Sequence, residues 1–178
     1  MENNEYVAAT DGRLYGLNDM PKVDCADCEG CHDCCTGMDD TIIIDPYDMY
    51  QFAQLGENYN TLSMKGIIEL GPTKGIVLPH IKMNENDACP YLSEEGRCSI
   101  HDKRPGMCRL FPLGRSFEES GLKYILLTEE CKLKKRQKMK VAKWVGVEPA
   151  GKYHAFVEKW HELRVKAAEA VGEEQNEG

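Results

Sequence analysis

Five cysteines fall within eleven residues, in the run Cys25-Ala26-Asp27-Cys28-Glu29-Gly30-Cys31-His32-Asp33-Cys34-Cys35. Thiols separated by two residues can fold their own loop over a metal, with backbone amides turned toward the sulfurs. Zinc knuckles and iron–sulfur loops both begin this way. Cys25, Cys28, Cys31 and Cys35 reproduce the C-x2-C-x2-C-x3-C spacing of bacterial ferredoxins, although Thr36 stands where that run has proline. Cys34-Cys35 adds a constraint. Neighbouring side chains tend to diverge, so one mononuclear ion is poorly served by both. A multi-iron cluster, or two nearby metals, uses them more easily.

A second, dispersed group consists of Cys89, Cys98, Cys108 and Cys131. Each alone reads as a small buried hydrophobe, Cys131 most readily. Four of them in a polar, loop-rich sequence beside a five-thiol run read better as ligands. Arg97, Lys103, Arg104 and Arg109 lie among them and can offset thiolate charge or donate to sulfur. His32 and His101 sit inside the cysteine segments and are candidates for ligation or proton transfer, ahead of His80; a structural role serves all three as well. Asp27, Glu29 and Asp33 repel thiolates, so a bound cation is the natural compensation.

The elements that must position these residues are short. Residues 1–24 read as an irregular arm, interrupted by Gly12, Gly16 and Pro21. Thr41-Ile42-Ile43-Ile44 reads as extended. Asp45 then caps a helix with Pro46 in its first turn, running to about Leu55 and stopping at Gly56. Ile67–Leu70 and Gly75–Pro79 read as two strands around a Gly71-Pro72 turn. Residues 82–120 show little periodicity, and Leu122–Thr128 reads as a strand. A charged helix is expected from Glu129 to about Val145, with Pro149 breaking the pattern. A second spans Lys152–Val171, with Tyr153, Phe156, Val157, Trp160 and Leu163 as its packing stripe. Residues 172–178 read as a flexible acidic tail. The arm, a metal-binding domain over 25–171 and the tail make up the expected organisation.

Composition bounds the function. With 178 residues, 42% of them hydrophobic, the chain can bury a core and does not need metal merely because it is small. Nine cysteines cannot all pair as disulfides, and a reducing compartment keeps thiols free for metal. The opening residues have neither a basic start nor an apolar run, and no stretch approaches a membrane span, so a cytoplasmic, non-membrane protein is expected. The net charge of −8 argues against a nucleic-acid partner. The exception is Lys132–Lys143, with seven basic residues in twelve, which reads as a solvated helix face.

The residues together resemble the CxxCxxCC family, also described as zinc- or iron-chelating or YkgJ-type. Cys28-Glu-Gly-Cys31-His-Asp-Cys34-Cys35 is similar to its opening motif, with His32 where members often have glycine. Ile42-Ile43-Ile44-Asp45-Pro46-Tyr47-Asp48 and Cys89-Pro90-Tyr91-Leu92 follow. The longest similarity is Gly96-Arg97-Cys98-Ser99-Ile100-His101-Asp102-Lys103-Arg104-Pro105-Gly106-Met107-Cys108-Arg109-Leu110-Phe111-Pro112, with His101 in place of the usual tyrosine.

The resemblance implies a site of Cys28, Cys31, Cys34, Cys35, Cys89, Cys98, Cys108 and Cys131, converging in space, and leaves Cys25 spare, contrary to the ferredoxin parsing. The elements read along the chain predict a small single α+β domain with irregular cysteine-rich metal-binding loops and C-terminal helices. The expected cofactor is an iron–sulfur cluster, one or two of the 4Fe-4S type, serving electron transfer or another redox role with a redox or protein partner. Zinc, in a stabilised binding or adaptor domain, is the alternative. A third reading is a metal-dependent enzyme related to cysteine-cluster methyltransferases, since a related cluster occurs in the enzyme that methylates flagellin lysines.

Overall fold

The computed structural model describes residues 9–24, 31–131 and 136–176, with side chains to residue 172. The chain forms a small α+β domain of three two-stranded antiparallel sheets and five helices among the described residues. Cysteine-rich loops connect the sheets, and helices close the C-terminal side. No described helix is long and apolar enough to cross a membrane.

The first layer gathers on Ile42–Ile44. This segment runs extended beside a hairpin of β2 (Ile68–Thr73) and β3 (Ile76–Ile81): the Ile44 amide donates to the Pro79 carbonyl at 2.8 Å, and the Ile81 amide to the Ile42 carbonyl at 2.9 Å. The hairpin turns at Lys74-Gly75, not at Gly71-Pro72 as the sequence suggested. Both turn residues take positive φ, 47° and 87°, the backbone that matches strand twist in a tight hairpin. Gly71 instead lies within β2, where a Cβ would come within 2.6 Å of the His80 ring.

Helix α1 (Pro46–Ala53) begins as expected. The Asp48 amide donates to the Asp45 carboxylate and the Asp45 amide to the Asp48 carboxylate, a reciprocal cap with proline at the first position. Helix α2 (Tyr59–Met64) has no counterpart in the sequence reading. Leu62 is its only buried residue, so there was no apolar period to see, and the Asn58–Thr61 reciprocal cap defines it. Ile42, Ile44, Phe52, Leu62, Ile68 and Ile81 form this layer's core.

The second layer is built on β4 (Leu113–Glu118) and β5 (Gly121–Leu126), with β4 falling in the stretch that showed little periodicity. Residues 9–15 run along β5, Tyr15 and Tyr124 exchanging both backbone hydrogen bonds. Further along, β1 (Lys22–Asp24) pairs with β6 (Gln137–Lys138). The continuous helix expected from Glu129 to Val145 is therefore not formed. Among the described residues of that stretch only α4 (Val141–Val145) is helical, and the amides of Met139, Val141 and Ala142 donate to the carbonyls of Pro21, Asp19 and Leu17; residues 132–135 lie outside the described residues. Met139, Val141 and Val145 pack into a core with Val23, Leu110 and Tyr124.

Helix α5 (Ala150–Asn176) continues into the stretch read as a tail. Most of the predicted stripe packs as expected: Tyr153 and Val157 are buried and Phe156 lies against the second core, whereas Leu163 is 57% exposed. The face toward the sheets also includes Glu158, which accepts from the Leu122 amide, and Ala168, which lies 3.6 Å from where a Cβ on Gly75 would stand.

Helix α3 (Gly106–Leu110) joins the layers: Leu110 enters the second core, while Cys108 packs against the first. Its first amide, on Gly106, donates at 2.7 Å to the buried Asp48 carboxylate of α1. Burial pushes Asp48 up to about 7, and the Asp45 charge beside it adds to the rise, while hydrogen bonds from Asp45 and Gly106 and the nearby Arg115 charge offset part of it. A carboxyl raised above its unfolded value of ~4 leaves the folded state holding the extra proton between the two values, so its contribution to stability falls as pH rises through that window. Chemical denaturation of Asp48→Asn and the parent chain between pH 5 and 7.5 should show a smaller loss of stability with rising pH in the variant.

Candidate metal centre

Three loop systems carry thiols to one place. The first is a single 3-10 turn at Asp33–Cys35, which holds Cys34 and Cys35 at its end. It is stitched to the second system by backbone bonds: the Cys89 amide donates to the Cys35 carbonyl at 2.7 Å and the Gly37 amide to the Asp87 carbonyl at 2.9 Å. These bonds replace the apolar packing that the sequence of the first loop lacks.

The second system is a tight loop from Cys89 to Ser99. The Leu92 amide donates to the Cys89 carbonyl, Leu92 bridges to Cys98, and Ser99 donates to the Tyr91 carbonyl from both its amide and its hydroxyl. Gly96 closes the turn at φ 74°, and a Cβ there would stand 3.0 Å from the His32 ring, so the two loops touch here as well.

The third is α3 and the 3-10 turn before it, His101–Lys103. Arg109 is buried and donates to the carbonyls of Asp102 and Arg104, each at 3.1 Å. The Trp144 indole donates to the Leu110 carbonyl at 3.0 Å, satisfying an acceptor at the other end of α3. Cys108 is thereby fixed from both sides.

Cys31, Cys34, Cys35, Cys89, Cys98 and Cys108 line one cavity of about 90 Å³. A single water needs roughly 10–15 Å³ on this measure, so the space accommodates more than one atom. Met38, Ile42, Ile81 and Met83 supply an apolar wall, and His32, His101, Arg97, Arg104, Tyr91 and Trp144 are also part of the lining. Arg104 donates to the His101 ring and, at 3.1 Å, to its carbonyl.

Cys34 is the electrostatic centre of the group. Its thiol is raised by the hydrogen bond it shares with Cys35 and by burial. Cys89, Cys98 and Cys108 are each raised chiefly by burial, and the Cys34 charge adds to all three; Arg104 pulls Cys98 the other way. Such thiols hold their protons until a cation makes the thiolates favourable. Cys31, Cys34, Cys35, Cys89, Cys98 and Cys108 are free thiols. Among the described residues no three Cys, His, Asp or Glu side chains are grouped to hold a metal ion as they stand. The six thiols surround a volume instead of a point. Their soft donor chemistry fits zinc or iron–sulfur, not magnesium or calcium.

Six of the eight expected ligands thus come together. Cys131 is buried but does not line the cavity. Cys28, and the spare candidate Cys25, lie outside the described residues. His32 and His101 face the cavity, whereas His80 is buried in β3, 3.4 Å from Glu69. Of the four cations named from sequence, Arg97 and Arg104 line the cavity, Arg109 binds backbone carbonyls, and Lys103 is not part of the lining. Cys31 donates to Asp33 at 3.4 Å, so this acid accepts from a thiol it would repel as thiolate. Sequence reasoning assigned no role to Tyr91, Asp48, Gly106 or Trp144. The first three stand inside the quoted motif segments, which was their only signal, and Trp144 had none.

A family profile described as CxxCxxCC, "Putative zinc- or iron-chelating domain", matches residues 27–143. No curated protein and no solved structure gives a significant match to the chain.

Gly106 carries a direct test of how α3 is seated. A Cβ there would stand 2.5 Å from the Tyr153 hydroxyl and 3.0 Å from Arg115, which itself donates to that hydroxyl. Gly106→Ala should destabilise the domain by about 1–3 kcal/mol, as overpacking does. Adding Tyr153→Phe should restore part of that loss, and a double-mutant cycle by chemical denaturation measures the coupling.

Proposed function

The chain belongs to the CxxCxxCC family of cysteine-cluster, metal-chelating domains, and from that premise we propose that its cavity holds an iron–sulfur cluster used for electron transfer or a related redox role. The observation that carries this reading is the arrangement of six thiols around a volume, with adjacent Cys34 and Cys35 both on its lining. A single tetrahedral zinc uses four donors converging on one point. A cluster presents several irons, so thiols that approach from different sides each find a metal atom.

Cys34, Cys35, Cys89, Cys98 and Cys108 are the proposed core of the ligand set, with Cys31 beside them and Cys28 supplied by the family motif. Cys131 is proposed as a ligand from the motif alone. The cluster, when bound, supplies one-electron chemistry. Arg97 and Arg104 offset the negative charge of the thiolates, and the apolar wall of Met38, Ile42, Ile81 and Met83 limits water, both of which tune a redox centre. A redox or protein partner would exchange the electron, and a reducing cytoplasm is the proposed setting because it keeps these thiols available. Zinc is the second reading, favoured by the all-thiol donor set, and would make the domain a stabilised binding or adaptor module.

Anaerobic purification with iron, zinc and acid-labile sulfide measured on one sample separates the two. Iron with sulfide and visible absorbance is the expected result; zinc alone would sink the iron–sulfur reading. Cys108→Ser should lower the metal content, and Cys25→Ser should leave it unchanged. Removal of the metal should loosen the cysteine loops, seen as loss of amide protection around residues 31–35 and 89–108, because metal binding and loop order are one equilibrium.

A further inference from the structure

Among the described residues, three buried side-chain polar atoms have no hydrogen-bond partner, and one of these, the Tyr91 hydroxyl, belongs to a residue lining the cysteine cavity. Native structures rarely leave a buried hydroxyl unpaired, and each instance asks for an explanation such as a ligand or ion at the site.

The side chain is not loosely placed. Its carbonyl accepts from the Ser99 amide at 2.8 Å and from the Ser99 hydroxyl at 3.0 Å. Its ring stacks on Phe52 of α1 at a centroid distance of 6.0 Å and an interplanar angle of 20°. The residue stands between two thiols of its own tight loop, Cys89 and Cys98; burial raises its phenol most, and the charges of Glu57, Cys89 and Cys98 add to the rise. A tyrosine hydroxyl is both donor and acceptor, and in a pocket of thiolates only its donor capacity is useful.

We propose that Tyr91 is a positioning residue for the bound group: its O–H donates a hydrogen bond to a sulfur of the cluster, either the Cys89 or Cys98 thiolate or an inorganic sulfide. This inference rests on the iron–sulfur reading above and names a role within that site. A hydrogen bond to sulfur stabilises the electron-rich reduced cluster more than the oxidised one, so the donor raises the reduction potential. The bond also occupies a sulfur lone pair and hinders attack on that ligand.

The test is Tyr91→Phe in the full chain, purified anaerobically beside the wild type. Phenylalanine keeps the ring and its stack on Phe52 and removes only the hydroxyl. The expected result is a wild-type complement of iron and sulfide with a lower midpoint potential in redox titration. A folded variant that loses iron and sulfide supports the proposal too, because the two side chains differ by the donor alone. Equal cluster content with an unchanged potential overturns it: the hydroxyl would then be served by solvent. Wild-type protein without iron and sulfide is a separate outcome, which overturns the iron–sulfur reading and this proposal with it.

Discussion

The carboxylate of Asp48 receives the amide of Gly106 across 58 residues of chain, in the interior. Most of the site depends on that bond. Asp48 is held by the reciprocal cap at the start of α1, and α1 is packed through Phe52 into the first core. Gly106 begins α3, which carries Cys108 two residues later. One buried hydrogen bond to this carboxyl therefore transmits the position of the Ile42–Ile44 layer to Cys108. Leaving either partner of such a bond unpaired in the interior is costly.

Around this bond the domain solves a general difficulty. A cysteine loop rich in acids and poor in apolar residues cannot be ordered by burial. Here the Asp33–Cys35 turn borrows order from the Cys89 loop through backbone hydrogen bonds, and the Cys89 loop rests on α1 through the Tyr91–Phe52 stack. Order passes from a conventional core outward to the thiols. A metal would complete this chain of support, since raised thiols neutral in its absence become thiolates in its presence.

The second layer acts on the site from behind. Trp144 of α4 closes α3, and Tyr153 of α5 leaves room there for glycine alone. The N-terminal residues 9–24 do more than decorate the fold, because they take the amides of Met139, Val141 and Ala142 and so fix where α4 starts. The position of Cys108 is therefore set by both cores.

Much was determined by local chemistry and was legible from the residues. The cap at Asp45-Pro46 needs only its own backbone and neighbours, so α1 could be placed in sequence. The spacing of Cys31, Cys34 and Cys35 marks a cysteine-rich loop because the loop is its own geometry. What sequence did not determine were the contacts made between distant segments. Within the helix expected over 129–145, the amides of Met139, Val141 and Ala142 pair with residues 17–21, which no local pattern reveals. Tyr153, Phe156 and Val157 of α5 pack as their spacing implied, but Leu163 stands exposed while Glu158 and Ala168 meet the sheets. That six thiols line one cavity, and that Cys131 is buried without being part of that lining, was decided by the fold. Spacing along a chain constrains only the nearest few residues, whereas the meeting of residues 35, 89 and 108 is fixed by which cores their flanking elements join.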